Sequence, residues 1–239
     1  MTDEPDGGAA DPSLKLERVG CPASVCGAVF EIPVGRLGRN VYCLECGRRM
    51  TARPVGHTVR LRAKEAEEGS GSGADIKRLP LIAVLDDIRS LWNVGSIFRT
   101  ADGCGVRKLW LAGITGTPPR AEITKTALGA EEQVAWDYRA DVLEAVEQAR
   151  AEGYEPVVVE AGEGSEGVGE FTWPQRPCLV LGNEATGVSP LVLEASERRV
   201  SIPMCGVKES FNVAVAFGIA AHHAARALAP ANPGVVFRG

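Results

Sequence analysis

The chain has 239 residues, of which 45% are hydrophobic and 24% charged, and its formal net charge is −5. That length accommodates one sizeable α/β domain and a small additional module. No apolar run is long and uncharged enough to span a bilayer. The N-terminus lacks the basic flank and apolar stretch of a secretory signal, and the acidic total argues against a general nucleic-acid coat. The expectation is a cytoplasmic protein with no membrane contact.

The charge is unevenly distributed. Residues 1–11 carry four acids and no base, so 1–17 is expected to be a disordered tail. Residues 36–62 carry seven arginines against the single acid Glu45. Cysteines are interleaved with this basic stretch: Cys21 and Cys26 are separated by four residues, Cys43 and Cys46 by two, with sixteen residues between the pairs. Two such knuckles can bring four thiolates around one tetrahedral Zn²⁺, and Gly27 and Gly47 permit the tight turn after each second cysteine. "AVFEIPVGRLGRNVY" between them is expected to form two short strands around a Gly-Arg-Leu-Gly turn. Residues 18–62 are therefore expected to be a zinc-ribbon-like module. The charged and then Gly/Ser-rich segment 63–78 is expected to be a flexible linker.

From residue 79 the pattern alternates strand and helix. "LPLIAVLDD", "RKLWLAGI", "EQVAWDY", "YEPVVVEA", "RPCLVLGN" and "RRVSIPM" are strand runs. "NVGSIFRTADGC", "RAEITKTALG", "ADVLEAVEQARAEG", "SPLVLEASE" and the long "SFNVAVAFGIAAHHAARAL" are helices. Gly129 and Gly153 are expected to end the second and third of these, and Ser189 to cap the fourth with Pro190 in its first turn. Apolar strands alternating with helices predict a mostly parallel sheet covered on both faces. In such sheets ligands bind beyond the carboxyl ends of strands, which directs attention to the loops after Leu181 and Pro203. The remaining cysteines, Cys104, Cys178 and Cys205, are taken as packing residues, and the adjacent His222 and His223 as surface or interface residues.

Three constellations stand out in this body. On a helical wheel, Val94, Ile97, Phe98 and Ala101 share one arc, and Asn93, Ser96, Arg99, Thr100 and Gly103 an adjoining polar one. Arg99 has three possible destinations: a pair with Asp102, water, or an anion outside the protein. The second constellation is "LVLGNEATGVS", in which Glu184 follows a strand inside a glycine-bracketed turn. The third is "VSIPMCGVKESFNVAVAFGIAAHH", in which Ser210 is expected to cap the last helix and Asn212 to lie in its first turn, where unpaired backbone N–H groups gather.

In order and spacing, "NVGSIFRTADGCGV", "LVLGNEATGV" and "SIPMCGVKESFNVAVAFGIAAHHA" resemble the three signature motifs of the SpoU/TrmH family of RNA 2′-O-ribose methyltransferases, within the SPOUT superfamily. The resemblance covers roughly residues 79–228. It implies an α/β sheet whose C-terminal part forms a trefoil knot, a homodimer with the site at the subunit interface, bound S-adenosylmethionine, and tRNA or rRNA as substrate. Carried over by motif, Leu181, Gly182, Ile202, Met204 and Phe211 would hold the cofactor, with Leu128 and Gly129 closing one side. Glu184, Ser210 and Asn212 would order the site. Asn93 and Arg99 would face the ribose and its phosphate. Where the family pattern has Ser-Leu-Asn-Val-Ser, this chain has Ser210-Phe211-Asn212-Val213-Ala214. The N-terminal module would dock RNA through Arg36, Arg39, Arg48, Arg49 and Arg53, or bind a protein partner instead. The competing reading is a non-catalytic RNA-binding protein that keeps the fold.

Overall fold

The computed structural model describes residues 16–20, 29–33, 40–43, 49–51, 77–235 and 237. The chain divides into two compact units, Met1–Thr58 and Val59–Gly239. In the first unit β1 (Leu16–Gly20) pairs antiparallel with β2 (Val29–Pro33), and β3 (Asn40–Tyr42) pairs antiparallel with β4 (Arg49–Thr51). Val19, Ile32 and Cys43 are buried. The two strands expected between the cysteine pairs are present, but each takes an outside partner rather than pairing with the other. Leu16 and Glu17, expected in the disordered tail, belong to β1. Of the four expected zinc ligands only Cys43 is a described residue; Cys21, Cys26 and Cys46 lie outside the described set, as do Arg36, Arg39, Arg48 and Arg53. Among the described residues no cluster of three or more His, Cys, Asp or Glu could hold a metal ion.

The second unit is built on a seven-stranded sheet in the order β7-β6-β5-β10-β8-β11-β9. Its strands are β5 (Ile82–Asp86), β6 (Lys108–Ala112), β7 (Ala135–Arg139), β8 (Glu155–Val159), β9 (Glu166–Gly167), β10 (Pro177–Leu181) and β11 (Arg198–Ser201). Every pairing within it is parallel. The short β9 has no counterpart in the sequence reading: two residues leave no periodicity to detect.

Period-two alternation sorts the strand residues between two cores. Ala83, Leu85, Leu109, Leu111, Leu179 and Leu181 enter one; Ile82, Val84, Trp110, Ala112, Cys178 and Val180 enter the other. The first core is closed by α1 (Leu91–Gly103), α2 (Ala121–Ala127), α3 (Ala130–Gln133) and α6 (Val213–Leu228), the second by α4 (Val142–Ala151) and α5 (Pro190–Ala195). Both faces are thus covered, which explains why the strands are apolar throughout. Gly95 lets α1 and α2 meet closely, since a Cβ there would stand 2.0 Å from Thr126 Oγ1 and 2.4 Å from the Ile123 carbonyl oxygen. Among the described residues no helix is long and apolar enough to cross a membrane.

Helix ends follow local chemistry, with three departures from expectation. Asp141 caps α4 by accepting from Leu143 N at 2.9 Å, and Gly153 follows the helix with φ +81°. Ser189 occupies the N-cap position of α5 with Pro190 next, but its buried hydroxyl makes no capping bond. α2 ends at Ala127, and its C-cap is Leu128, in the left-handed region at φ +52°, one residue before the expected Gly129. α6 is capped by Asn212 rather than Ser210: Asn212 Oδ1 accepts from Ala214 N at 3.0 Å. Cys104 and Cys178 are buried as expected, whereas Cys205 is exposed. Burial pushes both buried thiols up, Cys178 strongly.

Candidate active site

The carboxyl ends of β8, β10 and β11 surround a cleft of about 740 Å³. Leu181, Val200, Ile202, Met204 and Phe211 give it an apolar lining, and the backbone of Gly182 to Val188 forms one rim. That rim is a tight structure. Asn183 and Gly187 exchange both backbone hydrogen bonds, at 3.0 and 2.9 Å. The Asn183 side chain ties the turn together: its Oδ1 accepts from Ala185 N at 2.8 Å, and its Nδ2 donates to the Asp87 carbonyl at 2.7 Å. Gly182 is required by space. A Cβ there would lie 2.2 Å from both Gly187 C and Val188 N, so the returning chain occupies the volume a side chain would need.

Glu184 projects from this turn toward the start of α1. Its Oε2 accepts from Arg89 N at 3.0 Å, and its Oε1 accepts from Ser90 N at 3.2 Å and from Asn93 Nδ2 at 3.0 Å. Desolvation raises its pKa and is the largest single influence. The bonds from Arg89 N, its own N–H, Asn93 and Ser90 together outweigh it, and the carboxyl is held below its ordinary range. Asn93 continues the connection: its Oδ1 accepts from Asn212 Nδ2 at 3.2 Å. With Asn212 Oδ1 on Ala214 N, one chain of hydrogen bonds links the turn after β10, the start of α1 and the start of α6. Each amide is oriented by its partners, since an Asn oxygen must accept and its nitrogen must donate. Ser90 fixes α1 beneath this chain, its Oγ accepting from Asn93 N at 3.3 Å.

The three sequence constellations therefore converge, with Asn93 hydrogen-bonded to both Glu184 and Asn212. Ser210 lines the cleft, as do Leu181, Gly182, Ile202, Met204 and Phe211. Arg99, Leu128 and Gly129 do not. Asp102 is committed to Arg78, whose Nη2 lies 2.5 Å from its Oδ1. Arg99 is exposed and, among the described residues, makes no hydrogen bond or ion pair. Of its three possible destinations, the local ion pair is thus eliminated. Leu128 is 67% exposed, an unusual state for a leucine held in the left-handed region.

Two features escaped the sequence reading. Arg89 and Ser90 serve through backbone N–H groups, which no side-chain pattern announces. Glu160, directly after β8, lines the cleft and accepts from Val188 N at 3.1 Å; an acid just past an apolar strand was the available signal. With Glu184 and Glu209 it makes three carboxylates on the cleft, and no cationic side chain is among the described residues lining it.

Comparison with known proteins is consistent with this geometry. Residues 80–222 match the model of the SpoU rRNA Methylase family. The chain is 29% identical over 147 residues to the 23S rRNA (guanosine-2′-O-)-methyltransferase RlmB of Vibrio vulnificus, a match covering 62% of this chain and 59% of that protein. Among solved structures it resembles the TrmH/SpoU tRNA modifying enzyme of A. aeolicus, with a TM-score of 0.58 and 28% identity over 63% of this chain and 77% of that one. It also resembles an AdoMet-bound rRNA methyltransferase from Sinorhizobium meliloti, with a TM-score of 0.58 and 27% identity over 61% of this chain and 56% of that one. The chain spans about three fifths of the length of the RlmB relative.

Proposed function

The chain belongs to the SpoU rRNA Methylase family, and from that premise we propose that it is an S-adenosylmethionine-dependent methyltransferase acting on the 2′-hydroxyl of a ribose in tRNA or rRNA. The observation that carries this reading is the convergence of Glu184, Asn93 and Asn212 at the edge of a cleft whose lining is apolar and acidic. The residues fit the cofactor. Leu181, Ile202, Met204 and Phe211 supply apolar contact for a purine, and the negative charge of Glu184 and Glu209 suits a ligand carrying a sulfonium and an ammonium group. When bound, S-adenosylmethionine supplies an electrophilic methyl group whose transfer leaves a neutral thioether.

The chain's own residues then have distinct tasks. Glu184 holds Asn93, and Asn93 and Asn212 fix one another, so the polar edge of the cleft is organised before ligand arrives. Ser210, also on the cleft, adds a hydroxyl that can accept from or donate to the incoming ribose. Arg99 orients the phosphodiester and stabilises negative charge developing on the 2′-oxygen; guanidinium is too weak an acid to serve readily as the base. Because Arg99 does not line its own protomer's cleft, the reading includes a homodimer in which it reaches the partner's site. Leu128 and Gly129 close the cofactor site in the same arrangement, and the loops after β10 and β11 form the knot. Residues 18–62 act as a zinc ribbon, with Cys21, Cys26, Cys43 and Cys46 holding Zn²⁺ and the neighbouring arginines binding RNA, an interaction that weakens steeply with salt.

The test is incubation with radiolabelled S-adenosylmethionine and total RNA, followed by mapping of the label to the nucleotide and to its 2′-oxygen. Label on a base rather than a ribose refutes the reaction. RNA binding without any label favours the non-catalytic alternative, although such a protein has little reason to retain the connected Glu184–Asn93–Asn212 set.

A further inference from the structure

We propose that Glu160 binds the cofactor's ribose, its carboxylate accepting from the vicinal hydroxyls. This rests on the cofactor assignment above and names a contact which that assignment does not contain.

Glu160 is the first residue after β8, and β8 lies beside β10 in parallel register, with Val158 opposite Val180. Carrying that register two residues further puts Glu160 across from Gly182, where the chain turns so tightly that no Cβ fits. The carboxylate is not loose. Its Oε2 accepts from Val188 N at 3.1 Å, and Gly187 leaves it room, since a Cβ at 187 would stand 2.8 Å from that oxygen. Oε1 has no hydrogen-bond partner among the described residues, and Glu160 lines the cleft.

The three carboxylates are not equivalent acceptors. Glu184 already takes three donors, from Arg89, Ser90 and Asn93. Glu209 is exposed on the loop before α6. Glu160 alone combines a fixed position with an unused oxygen. Its location also separates it from the reacting end. β10 lies between β5 and β8; the Glu184–Asn93 contacts are on the β5 flank, and Glu160 is on the β8 flank. A methyl donor whose sulfonium faces the Asn93–Asn212 side can extend its nucleoside toward the other flank. A strand-end carboxylate next to a glycine turn is the arrangement by which open parallel sheets hold a ribose diol, and a charged acceptor makes the stronger hydrogen bond.

Glu160→Gln isolates the effect, because the amide oxygen can still accept from Val188 N while the charged acceptor is lost. Calorimetric titration should use S-adenosylmethionine, S-adenosylhomocysteine and the 2′,3′-dideoxy analogue of S-adenosylhomocysteine. We expect E160Q to weaken both natural ligands to the same extent, by about tenfold. The dideoxy analogue should bind the wild type about tenfold more weakly than its parent and lose nothing further in E160Q. Unchanged affinities in E160Q overturn the inference, as does a loss for the dideoxy analogue as large as for its parent. A loss confined to the sulfonium ligand assigns Glu160 to charge recognition and also overturns it. The dideoxy comparison on wild-type protein needs no variant to fold. Wild-type protein that binds neither natural ligand overturns the methyltransferase reading and this contact with it.

Discussion

Helix α1 carries two polar residues six positions apart whose surroundings differ. Asn93 donates to Glu184 and accepts from Asn212, and every amide in that set has a partner. Arg99 is exposed and, among the described residues, has none. One end of the helix is therefore organised by contacts within the protomer, and the other carries an exposed guanidinium without such contacts among the described residues. Hydrogen bonds around Asn93 contribute to stability whether or not ligand is bound; the exposed Arg99 side chain makes no such contribution among the described residues. The difference separates residues whose loss should disturb the fold from those whose loss should disturb only the reaction.

Substitutions along this gradient break or sharpen the contrast. The largest effect is expected at the rim: Gly182→Ala sets a Cβ against the Gly187–Val188 backbone, should cost about 1–3 kcal/mol, and should abolish cofactor binding, read by denaturant unfolding and calorimetry. Asn212→Ala removes the α6 cap and the Asn93 partner together. A loss of about 1 kcal/mol is expected, and a cost indistinguishable from zero would show the connected set to be unimportant for stability.

Glu184→Gln tests the set through pH. The folded pKa of Glu184 is depressed, so its contribution is complete above the ordinary carboxylate value, about 4.3, and is lost as pH falls through the folded value. Wild type should therefore be the more stable at pH 7, with the gap closing in acid; a gap that widens in acid contradicts the assigned shift. At the far end, Arg99→Ala should change stability by less than about 0.5 kcal/mol and leave S-adenosylmethionine affinity intact while methyl transfer to RNA disappears. Loss of cofactor binding in that variant removes Arg99 from its assigned role.

The sheet was legible because its strands are short apolar runs punctuated by glycine and helical periodicity, and the three motifs mark the loops that converge. The α6 cap lies two residues beyond the expected Ser210: Ser210 and Asn212 are both good capping types, and only the bond that Asn212 Oδ1 accepts from Ala214 N distinguishes them. Arg78, the partner of Asp102, lies 24 positions away, beyond the reach of any helical-spacing argument. Glu160 is visible in sequence only as an acid after a strand; its fixed position comes from Val188 N and from the missing side chains at Gly182 and Gly187. Such close approaches follow from the path of the chain and leave little trace in local sequence.

The contacts that unite the polar edge span long stretches of sequence: 91 residues from Asn93 to Glu184 and 119 from Asn93 to Asn212. Loop closure of that length must precede any reward from the bonds themselves. In a refolding time course, helical ellipticity should recover well before the capacity to take up cofactor. Nascent protein on the ribosome would likewise remain incompetent until α6 had emerged from the exit tunnel.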